Sequence, residues 1–173
     1  MFDMRKLINL IEGAHTPPMY DPEDEEHFHT LAKTGFFGKE AAGLVFYAKS
    51  TKRFLLVKRS QGVEEPGYWG NNGGVLKASD NGPRGGAERE GREETGYAGE
   101  IDLVPLLVFK KPSFQYDNFL GVIEDEFVPD LGWEATDFEW CDFGDWPSPL
   151  HFGMVGLFND AASVTKIKEI MDE

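Results

Sequence analysis

The stretch that most constrains this chain is "REGREETG", residues 89–96. It sets Glu90, Glu93 and Glu94 at offsets of zero, three and four. On an α-helix each residue turns about 100°, so the three carboxylates share one face. Like charges at that spacing destabilise a helix unless something answers them. One answer is a solvated face eased by Arg89 and Arg92. The other is a divalent-cation site, because hard cations such as Mg²⁺ take oxygen ligands. The helix spans 83–95 in pattern, and Gly85, Gly86 and Gly91 each cost it about 1 kcal/mol relative to alanine. Gly96 is a natural C-terminal cap.

The surroundings predict strands on both sides of this helix. "AAGLVFYAK" and "RFLLVKR", separated by "STK", read as a β-hairpin. "EEPGYWGNNGG" reads as a glycine-rich loop. "VPLLVFKK" and "YDNFLGVIEDEF" read as strands with "PSFQ" between them, and "DFEWCDF" as another. The C-terminal "LHFGMVGLFNDAASVTKIKEIMDE" is helical in pattern, with a break at Asn159 and Asp160. Together these elements predict a mixed α/β sandwich. Upstream, Met4, Leu7, Ile8 and Ile11 recur at helical spacing, so residues 3–12 read as a short amphipathic helix followed by a polar connector. We take residues 1–35 as an N-terminal helical and loop extension, and 36–173 as the main domain.

Composition narrows the function. A chain of 173 residues carries enough sequence for one substantial core. Its formal net charge of −14 argues against a general nucleic-acid or membrane-surface binder, whose affinity comes from basic patches. Small phosphorylated substrates stay open, since a bound cation reverses the sign of one local site. Cys141 is the one cysteine, which fits a reducing cytosol. No apolar run is long enough to span a bilayer, and a soluble cytoplasmic protein is expected.

The order "PGYWGNNGGVLKASDNGPRGGAEREGREETGY" resembles the signature of the Nudix hydrolase family (MutT-like). That signature runs Gly, five residues, Glu, seven residues, Arg-Glu, an aliphatic, any residue, Glu-Glu, any residue, Gly, then an apolar residue. Arg89-Glu90, Glu93-Glu94, Gly96 and Tyr97 match in register. The resemblance covers roughly residues 40–145. It departs in two places. After Gly74 and five intervening residues stands Asp80 rather than Glu, and eight residues rather than seven separate Asp80 from Arg89; Asn81 would keep the seven-residue count but has no carboxylate. Gly91 stands where the family has an aliphatic residue that packs the helix on the sheet.

The resemblance implies an α/β (α+β) fold, a Nudix-like α/β/α sandwich with a mixed β-sheet. It implies a hydrolase that cleaves the pyrophosphate bond of a nucleoside diphosphate linked to another moiety, using Mg²⁺, with Mn²⁺ as a substitute. Glu90, Glu93 and Glu94 would be metal ligands, with the Gly74 backbone close to the metal. Arg89 would orient a glutamate. The base would be Glu93 or Glu94, or a residue of a later loop, with Glu134 and Asp137 as candidates. The early acid of the family looks more like a partner that steadies the arginine or the loop than a metal ligand. A non-catalytic nucleotide-binding module of the same family is the alternative, which the retained glutamates disfavour.

Among aromatics that could stack a base, we single out Trp69, Phe114 and Trp133; for each taken alone, core or lip packing is the commoner role. His151 is either a substrate-side residue or a helix-start residue. Cys141 is expected to be buried and inert. Substrate cues conflict. Pro112 resembles a placement in ADP-ribose-cleaving members, while "FEWCDFGDWPSPLHFG" resembles the ending of MutT-like triphosphate hydrolases. Tyr116 only approximates a tyrosine of dinucleoside polyphosphate hydrolases. ADP-ribose-like molecules, nucleoside triphosphates, dinucleotides and capped RNA ends all remain, and so does the question of oligomeric state, a homodimer included.

Overall fold

The computed structural model describes residues 40–112 and 114–173. The helix expected at 3–12, and the extension to which it belongs, lie outside the described residues. Seven strands form one mixed sheet: β1 (Glu40–Ala48), β2 (Arg53–Arg59), β3 (Trp69–Gly70), β4 (Asn72–Val75), β5 (Asp102–Lys111), β6 (Phe114–Ile123) and β7 (Ala135–Cys141). Their main order is β3-β2-β1-β6-β5, with β4 against β1 and β7 against β2. The β1–β6 pair is parallel and the others are antiparallel. Three helices complete the described fold: α1 (Gly82–Thr95), α2 (Phe152–Asn159) and α3 (Ala161–Met171).

The centre is β1, buried from Ala41 to Ala48. A strand covered on both faces reads as a continuous apolar run rather than an alternating one, and "AAGLVFYA" is such a run. One of its faces carries Ala42, Leu44 and Phe46, which pack with Ala87 of α1. The other carries Val45 and Tyr47, which pack with Met154, Leu157 and Ile167 of α2 and α3. The fold is thus an α/β/α sandwich, as expected. The expected hairpin is β1–β2, closed through Lys52 at φ 56°. The break between the last two helices falls at Asp160, whose carboxylate accepts from Ser163 N–H and starts α3. No helix among the described residues is long and apolar enough to cross a membrane.

Two expectations need correction. The glycine-rich stretch expected to be a loop contains β3 and β4. Glycines give no alternating pattern, and these strands exist because β1 and β2 offer free edges: Ala42 pairs with Gly74 and Leu44 with Asn72. Strand β6 also begins earlier than "PSFQ" implied, at Phe114.

Helix α1 owes its position to the residues that weaken it. It starts with Gly82 at φ 76° and Pro83 in the first turn, and ends at Gly96, φ 69°, whose N–H returns to Arg92 C=O. A Cβ on Gly91 would stand 2.8 Å from Leu44 Cδ2. The space an aliphatic residue would take at position 91 is filled from the sheet side, by Leu44.

Candidate active site

The carboxylates of α1 do not behave alike. Arg89 sits at the hub. Its Nε and Nη2 donate to Asp80 Oδ1 and Oδ2 at 2.7 and 2.9 Å. Its Nη1 donates to Glu90 Oε1 at 2.6 Å and to Glu93 Oε2 at 2.9 Å, and its Nη2 also reaches Val75 C=O at 3.0 Å. Asp80 is nearly buried (4% exposed) and accepts in addition from Lys77 N–H at 2.8 Å. The hydrogen bonds from Arg89 hold its carboxyl below the usual range. Asp80 therefore ties the loop before α1 to Arg89, across the one-residue insertion.

Glu93 points outward to Arg89 and is half-exposed (52%). Glu90 lies over Gly74, where a Cβ would stand 2.7 Å from Glu90 Oε1. Only a residue without a side chain leaves room for that carboxylate. Burial raises its proton affinity, against the pull of Arg89. Glu94 goes deepest. Its Oε2 accepts from Asn72 Nδ2 at 2.9 Å and its Oε1 from Gly73 N–H at 3.3 Å. Its carboxyl is pushed well above the usual range, first by burial, then by the negative charges of Glu134 and Glu90.

Glu134 comes from the turn before β7, fixed by a hydrogen bond from Ser60 N–H to its C=O at 2.7 Å. Its charge reaches Glu94 from 40 residues further along the chain. Asp137 instead accepts from Phe138 N–H at 2.9 Å on the exposed side of β7. Among the described residues, no three His, Cys, Asp or Glu side chains are already gathered closely enough to hold a metal ion. Arg89 engages Glu90 and Glu93 at once.

The three aromatics singled out from the sequence differ. Trp69 (7% exposed) and Phe114 (8% exposed) lie in buried strand positions, whereas Trp133 is 50% exposed. His151 caps the start of α2, its Nδ1 accepting from Gly153 N–H at 3.1 Å. Burial lowers its pKa to about 4. Cys141 is buried and its thiol is pushed up to about 12. Sequence reasoning missed Asn72. Its only signal was position, next to a glycine pair that faces the glutamates. It also left Tyr116 as a weak substrate cue. The Tyr116 hydroxyl lies across Gly43 and Gly73 and accepts from Asn71 Nδ2 at 3.2 Å.

An acidic helix braced by an arginine is thus laid on a glycine strand of a mixed sheet in an α/β/α sandwich. The model of the NUDIX domain matches residues 38–159, so the chain belongs to the Nudix family. The structure is similar to that of a Nudix hydrolase from M. smegmatis, at 20% identity and a TM-score of 0.64, covering 76% of this chain and 88% of that one. It is also similar to an Ap4A hydrolase from C. elegans (18% identity, TM-score 0.53, 76% and 93% covered). A third is the dihydroneopterin triphosphate pyrophosphohydrolase of E. coli (17%, 0.53, 77% and 94%). At these identities the likeness is one of fold. No curated protein matches the chain. Family membership makes it a hydrolase of pyrophosphate bonds; Nudix hydrolases in general use divalent metal ions.

Proposed function

We propose that this chain is a Mg²⁺-dependent hydrolase, with Mn²⁺ able to substitute, acting on a nucleoside diphosphate linked to another moiety. The observation that carries the proposal is the pair Glu90 and Glu94. Glu90 and Glu94 are largely withdrawn from water beside a strand whose Gly74 has no side chain to fill the space, and the charge of Glu134 reaches Glu94. Such a set is costly as anions without a counter-charge, and its all-oxygen chemistry suits a hard cation. Glu90, Glu93 and Glu94 would hold the ion, with the Gly74 backbone beside it, and Glu93 would turn from Arg89 to do so. When bound, the ion neutralises phosphate charge and acidifies water.

The chain's own residues then divide the work. Arg89 holds Glu90 in place and is itself held by Asp80. Glu94, or Glu134 beside it, is the candidate base, and burial raises the proton affinity of Glu94, as a general base requires. Trp133 offers an exposed ring for a base, while Trp69 and Phe114 would act from within the wall of a site. The two neighbours named for Ap4A and dihydroneopterin triphosphate support a small nucleotide-like substrate without choosing one. A single buried thiol suits a reducing compartment, and the cytoplasm is part of the proposal.

The test is a screen of ADP-ribose, NADH, diadenosine polyphosphates, nucleoside triphosphates and capped RNA, with Mg²⁺ and with Mn²⁺. Hydrolysis of at least one should vanish in EDTA and return with the ion. Full activity in EDTA would overturn the mechanism.

A further inference from the structure

Asn72 is 1% exposed, yet it is neither apolar nor fully satisfied. Strand β4 pairs with β1 so that Asn72 lies opposite Leu44 and Gly74 opposite Ala42. Residues 72 and 74 share a face of the strand, the face covered by α1. From there Asn72 Nδ2 donates to Glu94 Oε2 at 2.9 Å, while Gly73 N–H serves Oε1 at 3.3 Å. Asn72 Oδ1 is buried with no hydrogen-bond partner. A buried acceptor left without a partner costs stability, which an apolar residue of similar volume would avoid. The stability of the sheet therefore does not account for an amide here. What the amide does supply is a donor to the deepest carboxylate of the site.

We propose that Asn72 is a positioning residue for Glu94: its amide holds the carboxylate in one orientation so that Glu94 meets the cation with its free lone pairs. This rests on the cation site proposed above. A carboxylate oxygen has two acceptor positions. With one on each oxygen taken by β4, the other two stay open for a ligand, and the carboxylate cannot swing toward the protein interior. Partners of this kind, one bond removed from a metal, orient the ligand and strengthen the site.

The experiment is calorimetric titration of the full chain with Mn²⁺ alone, run on the unaltered protein, Asn72→Leu, Asn72→Ala and Asn72→Ser. Thermal midpoints in EDTA and kinetics at saturating metal accompany it. Asn72→Leu keeps the branched shape, though it is larger, and removes the donor. It should bind Mn²⁺ about 10- to 100-fold more weakly and lose kcat rather than raise KM. Asn72→Ala, which cannot overpack, carries the same expectation if the leucine fails to fold. Asn72→Ser keeps a hydroxyl donor and should recover part of the affinity. Unchanged Mn²⁺ affinity in Asn72→Ala with a lowered midpoint would make the role structural and overturn the inference alone. If the unaltered protein binds no Mn²⁺, the cation site and the inference both fall.

Discussion

Asp80→Ala and Glu94→Gln should have opposite profiles, because Asp80 touches only the brace and Glu94 the site. Asp80→Ala removes both charged bonds to Arg89 and the acceptor for Lys77 N–H. Breaking a buried ion pair by deleting one partner costs roughly 3–5 kcal/mol. Arg89 keeps Glu90, Glu93 and Val75 C=O as acceptors, so its charge is not stranded, and the low end applies. A loss of about 3 kcal/mol corresponds to a fall of roughly 6–12 °C in the thermal midpoint at this length. Activity should fall only about tenfold, near 1.4 kcal/mol in the barrier, since Arg89 still grips Glu90. Glu94→Gln should lose several factors of ten while its midpoint in EDTA holds or rises, because a buried charge facing Glu90 and Glu134 is gone. Scanning calorimetry in EDTA and steady-state kinetics with saturating Mg²⁺ read both quantities. A midpoint change under about 2 °C for Asp80→Ala, below ~1 kcal/mol by the same scaling, would refute the brace. A catalytic loss equal to that of Glu94→Gln would put Asp80 among the cation's ligands.

Three further outcomes follow from the same geometry. Glu94 carries a raised carboxyl pKa, so its protonated form favours the fold: that stability is present below the ordinary value and is lost as pH rises through the folded value. Glu94→Gln should therefore raise the midpoint of the metal-free protein at pH 8 and leave it nearly level at pH 4, as denaturation curves at the two pH values will show. His151 has its pKa lowered to about 4, so its contribution is full above about 6.5 and is lost as pH falls from there to about 4, at most about 3 kcal/mol. His151→Asn keeps a cap acceptor and should flatten that limb of the stability–pH curve. Gly91→Ala gains about 1 kcal/mol of helix propensity but puts a Cβ 2.8 Å from Leu44 Cδ2, and overpacking costs about 1–3 kcal/mol. Denaturant titration should show no net gain, and Leu44→Val in the same chain should recover stability through a coupling of about 0.5–3 kcal/mol.

Much of this protein was legible in its sequence for local reasons. Helix α1 announces itself through Gly96 at its end and three glutamates on one face, features set by neighbours within a few residues. The β1–β2 hairpin and the break at Asp160 are local in the same sense. Strands β3 and β4 were not legible, because "WGNNGG" has no hydrophobic alternation and becomes strand only through hydrogen bonds supplied by β1 and β2. The carboxylates show the same division. That Glu90, Glu93 and Glu94 share a face follows from helical geometry alone. That Arg89 holds Glu93 outward while Glu94 sinks beneath Asn72 depends on Asp80 and β4, which meet α1 only when the sheet closes. Glu134 joins them because β7 pairs with β2 and brings its preceding turn back to the helix. Sequence by itself determined which groups this chain brings to its chemistry. Tertiary structure decided which of them are buried, which are braced and which are left facing water, because burial and hydrogen bonding depend on segments far apart along the chain.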